Sequence, residues 1–280
     1  MKNKILTFSE IQKFKAYLSS GEKSAATTEK YLRDVRAFAD FAGGAGITKE
    51  TVIAYKRHLQ ENYAVRSVNS ALASLNSLFG FLGWGDLKVK SLKLQQQVYC
   101  PEEKELTKAE YARLCRTAER RHNERLGLIL QTICGTGIRV SELQYITVEA
   151  AKRGEATVSC KSKTRSVFIV KELKQKLLRY AAKQHIESGM IFVTRTGKPL
   201  SRTNIWREMK SLCEEANVNP QKVFPHNLRH LFARVFYRLE KDIAKLADIL
   251  GHSSINTTRI YIISTGLEHR RRMENMRLIL

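Results

Sequence analysis

Between Leu87 and Leu106 the chain runs LKVKSLKLQQQVYCPEEKEL, rich in Lys and Gln, without helical or strand period, and with Pro101 near its end. Strong periodic patterning lies on both sides of this stretch, so the chain is expected to form two units joined by a linker. Its 280 residues are enough for two domains of ordinary size. The expected division is a helical domain over 1–87, a linker over 88–104 and a second domain over 105–280.

The first unit reads as consecutive helices. From Thr27 on, Tyr31, Val35, Phe38 and Phe41 recur at three- and four-residue spacing until Gly43, Gly44 and Gly46 stop the pattern. A second helix is expected from Thr48 to Glu61. A third runs from Ser67 to Phe81, with Leu72, Leu75, Phe79 and Leu82 on one side. Past Thr107, helices are expected over 107–118 and 124–135. The pattern then changes: Ala156–Cys160 and Ser166–Val170 are β-prone runs flanking a basic turn, Lys161–Arg165, which together read as a hairpin. Helices resume after 171. The fold class is therefore mainly α with a small β-hairpin.

Lys and Arg number 49 against 27 Asp and Glu, a formal net charge of +22. Self-repulsion at that charge is relieved by a polyanion, and nucleic acid is the first candidate. No apolar run reaches the ~18 residues of a membrane span, and the opening residues lack the apolar core of a signal peptide. The five cysteines are scattered, without paired spacing. They point away from a disulfide framework or a zinc site and toward a reducing cytoplasm.

Within the second unit, four separated segments hold groups suited to an oxyanion. Gly135–Leu143 places Arg139 just after a glycine-bounded break, where a new helix is expected to start and attract phosphate. In Pro225–His230, His226 and Arg229 lie three apart on one helix face. Leu250–Tyr261 opens on Gly251 and His252, and Tyr261 follows nine positions after that histidine. The basic hairpin CKSKTRSVF is the fourth. Each has an ordinary explanation alone: a surface arginine, a capping histidine, a core tyrosine.

Taken in order, TGIRVSEL, CKSKTRSVF, HNLRH and LGHSSINTTRIY resemble the tyrosine recombinase family of phage integrases and Xer proteins. The resemblance covers 105–280, and more loosely TTEKYLRDVRAFADF and SVNSALASLNSLFGFL, which look like that family's helical core-binding domain. It implies that Tyr261 attacks DNA to form a 3′-phosphotyrosyl bond. Arg139 and Arg229 would clamp the phosphate, His226 would be the base and His252 a hydrogen-bond donor to the phosphate. Lys161 would be the general acid, with Lys163 as its rival. Glu142 would orient the cationic side chains, and His230 would support the site. Ile263 departs from the family, which often has histidine there.

The resemblance also implies metal- and ATP-independent chemistry with no cofactor. The partner would be duplex DNA carrying paired core sites, bound by a C-shaped clamp, with a homotetramer on DNA and a monomer or weak oligomer without it. No membrane partner is expected, and a phage or mobile-element setting is. The helices Ser67–Phe81 and Ser201–Ala216 are candidates for groove insertion. DNA contacts are expected from Lys163, Arg165, Arg202, Arg207 and Lys210. The tail Leu267–Leu280 would dock on its own domain or on a neighbour, and core sites alone would be recognised. A relaxing enzyme of the type IB topoisomerase kind, and a silent DNA-binding regulator of the same fold, are the alternatives.

Overall fold

In the computed structural model, the described residues are 4–93, 102–160, 163–262, Arg270 and 273–276. The chain divides into two compact units, Met1–Gln96 and Gln97–Leu280, each with its own core.

The first unit is four helices: α1 (Phe8–Ser20), α2 (Ala25–Ala42), α3 (Lys49–Asn62) and α4 (Val65–Phe81). Helix α1 starts at a capping box in which Thr7 and Glu10 satisfy each other's backbone N–H. Ser24 caps α2, so that helix begins two residues before the expected Thr27. Val35, Phe38, Leu72, Leu75 and Phe79 are fully buried, whereas Phe41 at the end of the same stripe is 41% exposed. Edge-on contacts of Phe38 with Tyr55 and Phe79 join α2 to α3 and α4. The unit extends past the expected boundary at 87. Asn76 pairs with both backbone groups of Val89, and Asn69 does the same for Leu92. Residues 88–92 are thus fastened to α4 by two asparagine amides, a tie that composition does not announce.

The second unit contains α5 (Lys108–Arg120), α6 (Glu124–Thr136), α7 (Val148–Arg153), β1 (Glu155–Cys160) and β2 (Lys163–Phe168). It continues with α8 (Lys171–Lys183), α9 (Arg202–Ser211), α10 (Pro225–Glu240), α11 (Ile243–Leu250) and α12 (Ile255–Ile262). The strands pair antiparallel, with Glu155 opposite Phe168 and Cys160 opposite Lys163. Two residues therefore separate them, and the expected basic turn is shorter than Lys161–Arg165. Lys163, Thr164 and Arg165 are strand residues, because pairing Ala156 with Val167 buries both apolar side chains.

The break after α6 sets up everything that follows it. Gly137 ends α6 at φ +67°, and a Cβ there would lie 2.5 Å from the Phe232 ring on α10. Only glycine meets both demands. The segment after it, Val140–Tyr145, is a 3-10 turn where an α-helix start was expected. Helix α10 is anchored at the entrance of the unit: Asn227 Nδ2 donates to Lys104 O, and Arg234 holds Leu106 O and the Glu105 carboxylate.

Gly137→Ala is expected to destabilise the second unit by about 2 kcal/mol or more, from a left-handed backbone penalty plus overpacking. Denaturant unfolding of both proteins checks this; a midpoint equal to the wild-type value would refute it.

Candidate active site

The sequence segments singled out above meet at the N-terminal half of α10. Arg229, one helical turn in, is 1% exposed and is the largest fully buried side chain of the described residues. Its Nη1 donates to Gly137 O at 2.5 Å and its Nη2 to Leu250 O at 2.6 Å. Those carbonyls end α6 and α11, where the helix dipole is negative. Nη2 also lies 3.0 Å from His252 Nε2. Burial, then repulsion from Arg139, pulls the guanidinium down to about 10, still charged at neutral pH.

Arg139 stands at the start of the 3-10 turn and is held by Glu142. The Arg139 backbone N–H donates to Glu142 Oε2 at 2.9 Å, and Arg139 Nη1 donates to Oε1 at 2.8 Å. Glu142 is 2% exposed and also accepts from Arg165 Nη2 at 2.5 Å. Burial works to raise its pKa, but the hydrogen bonds from Arg139 and the charges of Arg165 and Arg139 outweigh it. The carboxyl therefore lies below its usual range.

Arg165 is held within the protein by two partners. Its side chain turns inward from β2, pairing with Glu142 and donating from Nη1 to Ile249 O at 2.8 Å. Its stem fills the space where a Cβ on Gly251 would sit, 2.4 Å from Arg165 Cδ, and Gly251 has φ +64°. These contacts lock β2 to α11. Lys161 lies outside the described residues, as does Ile263. Lys163 is placed only by its backbone on β2, opposite Cys160.

Tyr261, on α12, is 5% exposed and surrounded by three imidazoles. His230 stacks on its ring at 4.1 Å between centroids, His226 meets it edge-on at 5.3 Å, and His252 lies at 5.1 Å. Tyr261 Oη is 3.3 Å from His226 Nε2. All three histidines are pushed below their ordinary pKa, each by burial first. His226 then feels Arg229 and Arg139. His230, at about 4, feels His226 and Arg229, and His252, also at about 4, feels Arg229 and Arg139. All are neutral at pH 7. Thr258, fully buried one turn before Tyr261, lies 2.8 Å from His252 Nδ1. Sequence reading passed over it as one hydroxyl in a Ser/Thr-rich run; its three-residue spacing from Tyr261 was the only signal.

Arg139, His226 and Arg229 face a cleft of about 600 Å³ whose far wall is Arg202, Thr203 and Trp206 of α9. Arg202 and Arg207 are exposed on that helix. Lys210 is less free than expected, since its ammonium donates to Pro220 O and lies 5.3 Å from the Trp206 ring centre. Trp206, 45% exposed in the cleft, had no mark in the sequence. Helix α9 ends at Ser211, short of the expected Ala216.

The phage integrase family model matches residues 104–266, and the model for the phage integrase N-terminal SAM-like domain matches 11–85. Tyrosine recombinase XerA of Thermococcus kodakarensis is 30% identical over 280 residues, covering 96% of this chain and 95% of that protein. Among solved structures, a lambda integrase dimer bound to a COC′ core site aligns with TM-score 0.74 at 18% identity, covering 93% of this chain and 96% of that one. The XerH recombinase bound to its difH substrate aligns with TM-score 0.70 at 17% identity, covering 95% and 84%.

The lowered histidines set a pH dependence of stability. Between pH 6.5 and about 4 the unfolded chain binds protons on His230 and His252 that the folded chain refuses, so stability falls as pH falls through that window. Each such group contributes a slope of up to about 1.4 kcal/mol per pH unit. Glu142 acts lower: its contribution is fully present above its unfolded value of 4.5 and is lost as pH falls through its depressed folded value. Urea melts at a series of pH values are expected to steepen below pH 6.5, and His230→Gln to flatten that slope. Unchanged stability from pH 6.5 to 5 would contradict this.

Proposed function

The chain belongs to the phage integrase family, and on that premise we propose that this site-specific tyrosine recombinase cuts and rejoins duplex DNA with Tyr261 as its nucleophile. The observation that carries this reading is the 3.3 Å approach of Tyr261 Oη to His226 Nε2, beside the buried Arg229 and the half-buried Arg139.

Tyr261 Oη attacks the scissile phosphorus, the 3′-phosphotyrosyl bond forms, and the bond to the 5′-oxygen breaks. The phenol must give up its proton to attack, and the neutral imidazole of His226 has a lone pair to take it. Arg139 and Arg229 hold the two non-bridging oxygens, whose charge grows in the five-coordinate transition state. Planar guanidinium forks suit that task, and Glu142 aims one of them. His252 donates to the same phosphate, and His230 packs against the phenol ring. Lys161 delivers a proton to the departing 5′-oxygen, with Lys163 as the alternative donor. Since the phosphotyrosyl bond keeps the energy of the broken phosphodiester, a second 5′-hydroxyl reverses the step without ATP.

Duplex DNA is the partner. The +22 charge and the cleft bordered by Arg139 and Arg202 support it, as do the DNA-bound structures of the lambda integrase and XerH relatives. Arg202 and Arg207 of α9 are the exposed cations we assign to DNA contact. The working assembly is proposed to be a tetramer on two paired core sites. The free thiols of Cys115, Cys134 and Cys213 suit a reducing cytoplasm.

Incubation with suicide DNA carrying the recombination site is expected to leave an SDS-resistant adduct, and Tyr261→Phe to leave none. Persistence of the adduct in that variant would remove Tyr261 from the role. For the acid, Lys161→Ala is expected to lose cleavage on ordinary DNA by about 100-fold or more. It should recover when sulfur replaces the bridging 5′-oxygen, because a thiolate leaves without a proton. Recovery in Lys163→Ala instead would assign the acid to Lys163.

A further inference from the structure

Thr258 lies one turn before Tyr261 on α12 and is fully buried, although Ile255, Asn256 and Thr257 before it are exposed. Its hydroxyl ends a chain of contacts: Arg229 Nη2 to His252 Nε2 at 3.0 Å, then His252 Nδ1 to Thr258 Oγ1 at 2.8 Å. The proton positions in this chain follow from the chemistry of its ends. A guanidinium carries donors only, so His252 Nε2 must accept. Burial and the nearby Arg229 keep the imidazole neutral at pH 7. Its single proton therefore sits on Nδ1 and is donated to Thr258 Oγ1.

That tautomer is the wrong one for the step described above. A phosphate oxygen accepts and does not donate, so a His252 that faces it with the Nε2 lone pair repels it. Donation to phosphate requires the proton on Nε2, and Nδ1 must then accept. The neighbour of Nδ1 has to serve as acceptor in one state and donor in the other, and a hydroxyl does both by turning about its C–O bond.

We propose that Thr258 is a positioning residue that lets His252 exchange tautomers when the scissile phosphate displaces its contact with Arg229. The exchange moves no net proton: Nδ1 releases one to water, Nε2 takes one from water, and the Thr258 hydroxyl turns to donate to Nδ1. The same helix carries the attacking phenol, so the hydroxyl also ties Tyr261 to the state of the phosphate site. This inference rests on the assignment of His252 as a phosphate donor.

The test compares Thr258→Val, which keeps shape and loses the hydroxyl, with Thr258→Ser, which keeps the hydroxyl. In Thr258→Val, single-turnover adduct formation on suicide DNA is expected to slow by about 10- to 100-fold, the range for partners that fix a histidine's tautomer. DNA affinity should stay within about twofold, and Thr258→Ser should cleave within about threefold of wild type, since only the hydroxyl is at issue. Nitrogen-15 spectra of His252 should show the Nδ1–H form in the free protein. With intact DNA, and Tyr261→Phe to stop the chemistry, they should show the Nε2–H form. Equal cleavage by the valine variant, equal loss in both variants, or one tautomer in both states would overturn the proposal. With wild type run in parallel, absence of its adduct would instead overturn the reading of Tyr261.

Discussion

A positive charge buried in protein has to be neutralised by its surroundings, and in the second unit Arg229 meets that requirement without a carboxylate from the described residues. Its guanidinium is held by the last carbonyls of two helices, Gly137 O beyond α6 and Leu250 O on α11, at the ends where helix dipoles are negative. The consequence is geometric. The glycine break after α6, the end of α11 and the start of α10 must converge on one point, and the sequence segments bearing Arg139, His252 and His226 converge with them. Because carbonyls supply only partial charge, the cluster stays positive, and so suited to an anion from outside.

Glu142 performs the complementary task. One carboxylate, almost fully buried, holds Arg139 through backbone and side chain and Arg165 through its guanidinium. Two cations that would repel each other are thereby kept on separate sides of it, one facing the cleft and the other facing the core. Removing one partner of such a group leaves a buried charge uncompensated. This is why a residue with no part in bond making still belongs to the site.

Much of this was legible beforehand, and unevenly. Helices in the first unit follow from the three- and four-residue spacing of Val35, Phe38, Leu72, Leu75 and Phe79, since burial of one stripe is what stabilises such a helix. That Tyr261, Arg139 and Arg229 belong to one site was a reading of the order of spaced elements, not of their own surroundings. What escaped was side-chain direction. Arg165 reads as a solvated cation in a basic run; whether it points out or in depends on a strand register set by Ala156 and Val167. The hydroxyl of Thr258 looks like its neighbours until α12 packs against His252. The attachment of residues 88–92 depends on two asparagine amides in α4, invisible to a period of apolar residues.

Gly251 and Arg165 also carry a consequence for inheritance. The arginine's stem occupies the volume that any side chain at 251 would need, and its charge is answered by Glu142. Shrinking residue 165 would free the space but not relax the left-handed backbone at 251, and it would leave Glu142 with one cation fewer. Positions 142, 165 and 251 therefore form a unit of variation: descendants of this chain keep all three, or replace them together through a repacked junction of hairpin and helix.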